Sequence, residues 1–261
     1  MKILFIGDIV GSLGRRTAQR VLTTLKKRDN IALVVANADN LAHGRGATGS
    51  TIKECLDFGI DVFTGGDHLF HIKGFQDEIS SLPIARPANF YAGTPGQGYF
   101  VAKALGYPFC IISLIGQTFG GENVENSFYA VSRVLTEIKR KKVKMILVDI
   151  HGDLTSEKNA LGYFLDGKVS AVVGTHTHIP TCDQKILAGG TAFVTDAGMV
   201  GAYDSVLGVK KEIIVERFLS SLPSKFEWVE EGKAVFNSVL IDINENTGRA
   251  RSIERRDFVV G

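Results

Sequence analysis

Short, continuous apolar runs punctuate this chain. Each is closed by a Gly-, Asp- or His-bearing turn, and most are followed by a stretch with helical period. Residues 3–6, 31–36, 62–64, 144–150 and 169–174 read as strands, and their lack of polar alternation predicts strands covered on both faces. Residues 15–27, 51–58, 124–139 and 156–165 read as helices. Ala18, Val21, Leu22 and Leu25 stripe the first of them, and Val131, Val134, Leu135 and Ile138 the third. Segments 98–102, 109–114, 185–187, 191–195, 234–243 and 249–258 predict further strands without intervening helices, the last two joined by the polar turn 244–248. The expected class is α/β, with more antiparallel sheet in the second half. No repeat, low-complexity tract or linker interrupts the pattern, so residues 1–261 are expected to form a single domain.

Composition narrows the classes of function. A hydrophobic content of 44% beside 22% charged residues is an ordinary globular balance. A net charge of +2 argues against a nucleic-acid groove or a membrane-binding surface. The one dense basic run, Lys139-Arg140-Lys141-Lys142, falls where a helix should end, and cations suit that end. No apolar stretch approaches the ~20 residues of a spanning helix, and the opening run 1–6 is too short for a signal-peptide core. Cys55, Cys110 and Cys182 are scattered without C-x-x-C spacing, which predicts reduced thiols and a cytoplasmic protein.

The unusual polar residues cluster at strand ends. Asp8 closes the first strand, Asp39 and Asn40 follow the second, and Asp67 and His68 follow the third. His151 closes the strand at 144–150, and His176 and His178 end the run Val172-Val173-Gly174-Thr175-His176-Thr177-His178. In extended backbone, residues two apart face the same side, so the last two imidazoles are expected to act as a pair. Ligands bind outside the carboxyl ends of strands in an open parallel sheet, and these loops would deliver oxygen and imidazole groups to one rim. Any one of them alone reads as a helix cap or turn; their coincidence is what carries weight. Asp8, Asp39, Asn40, Asp67, His151, His176 and His178 exceed the three or four ligands of one zinc ion. The set suits two divalent ions, Mn²⁺ or Fe with Zn²⁺ or Mg²⁺ as further options, and a two-metal clamp serves phosphoryl transfer. The glycines of Gly7-Asp8-Ile9-Val10-Gly11-Ser12-Leu13-Gly14 fit no dinucleotide or P-loop spacing and read instead as room for backbone to approach a phosphate.

Taken in order, Gly7-Asp8-Ile9-Val10-Gly11 with Gly14-Arg15, Asn37-Ala38-Asp39-Asn40, Gly66-Asp67-His68, Val148-Asp149-Ile150-His151 and Gly174-Thr175-His176-Thr177-His178 resemble the YmdB-like bacterial branch of the calcineurin-like metallophosphoesterases. The likeness continues through Thr155-Ser156-Glu157-Lys158 and Thr195-Asp196-Ala197-Gly198-Met199 to about residue 210. It implies a layered α/β/β/α sandwich with mixed sheets, and hydrolysis of 2′,3′-cyclic or 3′,5′-cyclic nucleotides or related phosphodiesters. The attacking group would be a metal-bound hydroxide. By the same resemblance Asp8, Asn40 and His178 would hold one metal and Asp67, His151 and His176 the other, with Asp39 bridging and His68 donating a proton to the leaving oxygen. Self-association is also implied. Two positions depart from the branch: Asp39 stands where glutamate is usual, and Asp67 where asparagine is usual. Two rival readings stay open from sequence, a single-metal hydrolase and a regulatory or RNA-binding module retaining a metal site, and Arg15, Arg16, His43, Arg45, Phe70, Tyr91 and Phe119 are candidate substrate contacts.

Overall fold

The computed structural model describes residues 1–117 and 124–261; Phe119 lies outside them. The first half runs β1 (Lys2–Ile9), α1 (Gly11–Arg28), β2 (Ile31–Asn37), α2 (Gly49–Asp57), β3 (Val62–Thr64), α3 (Phe75–Glu78), β4 (Ile84–Ala85), β5 (Tyr99–Ala104) and β6 (Tyr107–Ile115). Next come α4 (Ser127–Arg140), β7 (Met145–His151), α5 (Thr155–Leu165), β8 (Ala171–Thr175), β9 (Lys185–Ile186), β10 (Ala192–Val194) and β11 (Met199–Ala202). The chain ends with α6 (Lys211–Ser220), β12 (Ala234–Phe236), β13 (Ser238–Ile243), β14 (Ala250–Arg255) and β15 (Phe258–Val260).

Two mixed sheets result. One follows the order β15-β12-β11-β1-β2-β3-β4, with β13 on β1 and β14 on β13; the other follows β5-β6-β7-β8-β10-β9. The period-2 geometry of a strand sends alternate residues to opposite faces, and here both faces are dry. From the first sheet, Leu4, Ile6, Val34 and Ala36 pack on Ala18, Leu22 and Leu25 of α1 and Ile52 of α2. Their neighbours Ile3, Phe5, Leu33 and Val35 meet Phe109, Ile111, Leu147 and Val173 of the second sheet. The outer face of that sheet, including Ile112, Ile146 and Val148, packs on Val131, Val134 and Ile138 of α4 and Leu161 and Leu165 of α5. The layers are therefore α/β/β/α. Val21 and Leu135, expected to face inward, pack at the edges of these cores and are only partly buried.

Local chemistry sets several element ends. Asn126 caps α4 by accepting from the Phe128 and Tyr129 amides at 3.0 and 3.2 Å, so the helix starts later than the apolar period at 124 suggests. Thr48 and Thr51 form a reciprocal capping box at the start of α2. The basic run does end α4, as expected. The segment 234–243, expected as one strand, is two. β12 pairs with β11, and β13 pairs antiparallel with the first part of β1. Asn237 marks the switch, its Nδ2 donating to the Met199 carbonyl at 2.9 Å. The segment 249–258 divides in the same way into β14 and β15.

Two glycines of the first loop, Gly7 and Gly14, are required by packing. A Cβ on Gly7 would fall 1.7 Å from the Gly198 carbonyl oxygen, and one on Gly14 would fall 2.4 Å from that of Val200. The parallel contact of β1 with β11 at Asp8 and Ile9 brings those carbonyls close. Among the described residues no helix is long and apolar enough to cross a membrane.

Candidate metal centre

All eight sequence-predicted residues come to one end of the sandwich. Asp8 lies in β1, Asp39 and Asn40 follow β2, Asp67 and His68 follow β3, His151 ends β7, and His176 and His178 follow β8. The rim belongs to two sheets rather than to the edge of one parallel sheet, because β7 and β8 lie in the second. Face-to-face packing of the sheets is what brings His151 against the carboxylates of the first.

His151 is the hub. Its Nε2 lies 3.1 Å from Asp67 Oδ1, 3.4 Å from Asp39 Oδ2 and 3.1 Å from His176 Nδ1; its Nδ1 lies 3.7 Å from Asp8 Oδ1. Asp67, His151 and His176 present ligand atoms all within 4.8 Å of one another, and so do Asp39, Asp67 and His68. Asp39 accepts from the Gly66 amide at 2.6 Å and from the His68 amide at 3.0 Å, which fixes both carboxylate oxygens. His68 places Nδ1 3.1 Å from Asp39 Oδ2 and Nε2 3.3 Å from Asp67 Oδ2.

Asp8, Asn40 and His178 form the other part. Asp8 Oδ1 and Asn40 Oδ1 are buried oxygens without a hydrogen-bond partner, a costly state unless an electron-pair acceptor sits beside them. Asn40 is oriented by its own Nδ2, which donates to the Gly44 carbonyl at 2.9 Å. His178 donates from Nδ1 to the Leu207 carbonyl at 3.1 Å, leaving Nε2 its lone pair, the arrangement typical of metal-ligating imidazole.

Electrostatics point the same way. Burial pushes the Asp8 carboxyl up to about 7. Burial also disfavours a charge on Asp39, but His151 and His68 outweigh it and hold Asp39 well below the usual range. Burial likewise opposes a charged His151, and Asp39, Asp67 and Asp8 overcome it and hold the imidazole well above its usual value. Burial brings His176 and His178 down to about 4, so both stay neutral and ligating near pH 7. The carboxylates thus recruit an imidazolium as their counter-charge, and neutral imidazoles stand beside them. Oxygen-rich and imidazole-rich, with two orphaned oxygens, this donor set fits divalent transition ions.

The histidine pair does not arise from strand alternation. β8 ends at Thr175, and both residues have left-handed backbone, φ 94° at His176 and 64° at His178. Such strain in non-glycine residues persists only where surroundings impose it. The His176 amide donates to Asp8 Oδ2 at 3.1 Å, and a buried ion pair braces the same turn. Lys158 Nζ reaches Asp196 Oδ2 at 2.8 Å and the Thr175 carbonyl at 2.7 Å, while Asp196 accepts from the Thr177 amide and hydroxyl.

Lys158, Asp196 and Asp149 lie within the motifs, but their roles are visible only in the structure. Asp149 is fully buried and accepts from Thr64 Oγ1, Thr175 Oγ1 and Asn37 Nδ2, tying β2, β3, β7 and β8 together beneath the site. Asp153, 3.0 Å from His176 Nε2, carried no sequence signal beyond lying two residues after His151. Arg15 is used by the Leu41 carbonyl and Glu54, and Arg16 by the Glu230 carbonyl. Phe70 packs against Phe75 and Phe90, and Tyr91 and His43 are solvent-exposed. Burial lifts the Cys55 and Cys110 thiols to about 12, which leaves them poor nucleophiles.

Gly66 gives this centre a sharp test. A Cβ there would fall 2.4 Å from the His151 ring, so Gly66→Ala should displace the hub imidazole. Disturbed ligand orientation typically costs ~10–100-fold in metal affinity or activity. Bound metal and turnover both at the parental level would show that the ring has room to spare.

Comparison with known proteins places this geometry. A model of the YmdB-like protein family matches residues 4–256. A 2′,3′-cyclic-nucleotide 2′-phosphodiesterase of Bacillus subtilis (strain 168) is 42% identical over 256 residues, covering 98% of this chain and 96% of that protein. A crystal structure from Mycoplasma pneumoniae, described as a novel phosphatase, superposes with TM-score 0.93 at 29% identity over 99% of this chain and 93% of that one. The NAD nucleotidase of Haemophilus influenzae, at 14% identity and TM-score 0.60, shares the fold over 99% of this chain and 55% of its own. With its family model matched almost end to end and its layered sandwich shared with phosphatases, the chain belongs to the YmdB-like family of calcineurin-like metallophosphoesterases.

Proposed function

We propose that this chain, a metal-dependent phosphodiester hydrolase by family, opens 2′,3′-cyclic nucleotides at a two-metal centre. The observation that carries the reading is the pair of buried oxygens without a hydrogen-bond partner, Asp8 Oδ1 and Asn40 Oδ1, beside a cluster of carboxylates and imidazoles. Asp8, Asn40 and His178 would hold one ion and Asp67, His151 and His176 the other, with Asp39 between them. Iron and manganese suit the mixed nitrogen and oxygen donors. When bound, the ions supply Lewis acidity, acidifying water and neutralising phosphate charge. The B. subtilis relative's description names the substrate class that this reading adopts. Residues 1–261 would act as one catalytic unit.

The protein's own part is positioning and proton delivery. The Gly66 and His68 amides lock Asp39, and the Leu207 carbonyl and the Asp8 carboxylate fix the His178 ring and the His176 backbone. In hydrolysis, water oxygen adds to phosphorus and gives up one proton, the bond from phosphorus to the 2′ oxygen breaks, and that oxygen takes a proton, so the proton count is unchanged. We assign that donation to His68, whose Nδ1 lies 3.1 Å from Asp39 Oδ2 and Nε2 3.3 Å from Asp67 Oδ2.

His68→Ala should therefore lower kcat on adenosine 2′,3′-cyclic phosphate by ~10²–10⁴, the usual worth of a general acid. The loss should be far smaller on bis-p-nitrophenyl phosphate, whose phenolate leaves without a proton. Equal losses on both would contradict the donor role. The departure at Asp67 has its own test. An extra carboxylate strengthens metal retention and repels the phosphate, so Asp67→Asn should keep both ions and change turnover; an unchanged kcat at saturating Mn²⁺ would refute this. The reading as a whole rests on metal content near two ions per chain, together with Mn²⁺-dependent turnover in a panel of 2′,3′-cyclic, 3′,5′-cyclic and linear phosphodiesters. A chain with no bound metal and no turnover would end it.

A further inference from the structure

A cavity of about 550 Å³ opens from the metal centre, lined by Asn40, His68, His176 and His178 and also by Arg45, Arg217, Phe226 and Trp228. Its volume is within the ~300–1,000 Å³ usual for small-molecule sites. Two guanidinium groups face the Phe226 ring, that of Arg45 5.5 Å and that of Arg217 5.1 Å from its centroid. They come from distant parts of the chain, the loop after β2 and the helix α6, and neither makes an ion pair among the described residues. Among the described residues Asp153 is the carboxylate on the cavity wall, and it already faces His176 at 3.0 Å. Both guanidinium groups line the one cavity, and among the described residues neither has a carboxylate partner, so an anion bound in the cavity would supply their counter-charge. Guanidinium forks match phosphate oxygens geometrically. The rest of the wall near them is apolar, with Val209, Ile214 and Phe218 offering cover for a base or sugar.

From this geometry we propose that Arg45 and Arg217 form a subsite for a second phosphate, on the 5′ side of the ribose whose cyclic phosphate meets the metal centre. The preferred substrate then carries a 5′-phosphoryl group, either as a free nucleotide or as the end of an oligonucleotide. The proposal rests on the phosphodiesterase reading for its orientation, and it concerns residues outside the candidate ligand set.

Trp228, the single tryptophan of the chain, supplies a readout independent of turnover. It lines the cavity and lies against Gly44, where a Cβ would fall 2.1 Å from the indole. Titration of its emission with adenosine 3′-monophosphate and adenosine 3′,5′-bisphosphate should show the bisphosphate binding about tenfold tighter, the scale of a charge-assisted contact. The double variant Arg45→Gln/Arg217→Gln should erase that ratio. Equal binding of the two ligands by the parent, or an unaltered ratio in the variant, overturns the subsite. In parallel, Mn²⁺-loaded parent is given adenosine 2′,3′-cyclic phosphate, its 5′-phosphorylated form and a dinucleotide with a 2′,3′-cyclic end. Preference for the second identifies a free nucleotide as the source, and preference for the third an oligonucleotide end. Turnover of all three without preference refutes the subsite and leaves the phosphodiesterase reading standing. No turnover of any, with the binding ratio intact, refutes that reading and leaves the anion subsite standing.

Discussion

Replacing Asp39 by asparagine should remove at least one metal ion and lower phosphodiester turnover by more than about 100-fold. Changes to groups that merely orient metal ligands already cost ~10–100-fold, and Asp39 is the carboxylate proposed above to bridge the two ions. The substitution is nearly isosteric, so the effect is electronic. One oxygen can still accept from the Gly66 or His68 amide, but the new NH₂ must face the other amide, now 2.6 or 3.0 Å away, donor against donor. An unsatisfied buried group of this kind costs about 1–3 kcal/mol. The lost charge matters more. Asp39 leads the carboxylates that hold His151 protonated in the metal-free state, and without it the centre has less negative charge with which to retain divalent ions. Elemental analysis of dialysed protein, paired with kcat on adenosine 2′,3′-cyclic phosphate, decides the matter. Two retained ions with parental kcat would remove Asp39 from the centre.

Lys158→Met should be the most destabilising single change in the chain outside its hydrophobic layers. Lys158 and Asp196 are each 1% exposed and 2.8 Å apart. Removing one partner of a buried pair strands the other's charge and costs about 3–5 kcal/mol. For a domain of this size that corresponds to roughly 6–20 °C in melting temperature. The damage should also reach the metal centre, because Lys158 Nζ holds the Thr175 carbonyl immediately before the strained His176 turn. Metal affinity should fall with stability, though no candidate ligand has changed. Asp196 accepts from the Thr177 and Gly198 amides as well, so Asp196→Asn should be about as harmful, and the double variant much less than additive. Thermal melts of the three variants in metal-free buffer provide the check. A Lys158→Met melting temperature within 2 °C of the parent, or strict additivity, would show that the pair contributes little.

How much of this was legible beforehand follows from where the information resides. The apolar runs that became β1, β2, β3, β7 and β8 were readable because strands covered on both faces carry no polar residues. The helices α1, α2 and α4 were readable because each presents one apolar stripe. Polar residues at those strand ends stood out for the same reason, and the order of their motifs pointed to the family. Three things were not readable. The strand β11 (Met199–Ala202) and the helix α6 (Lys211–Ser220) lack a strong period; β11 is short, and α6 buries only Ile214. The division at Asn237 depends on β1 sharing one edge between β13 and β11. The route by which His176 and His178 reach the centre is a left-handed turn, not the alternation that their spacing suggests.

Sequence alone determined the α/β class and the identity of the polar groups at the strand ends, since hydrophobic period and donor chemistry are local properties of residues. The layered sandwich was implied by the resemblance of the motifs to a known family. Only the tertiary structure decided that two sheets share the rim, that His151 is its hub, that Asp8 and Asn40 keep oxygens without a hydrogen-bond partner, and that Arg45 and Arg217 meet on Phe226. Each of those facts depends on distances between segments far apart in the chain, and packing of one layer on another sets such distances.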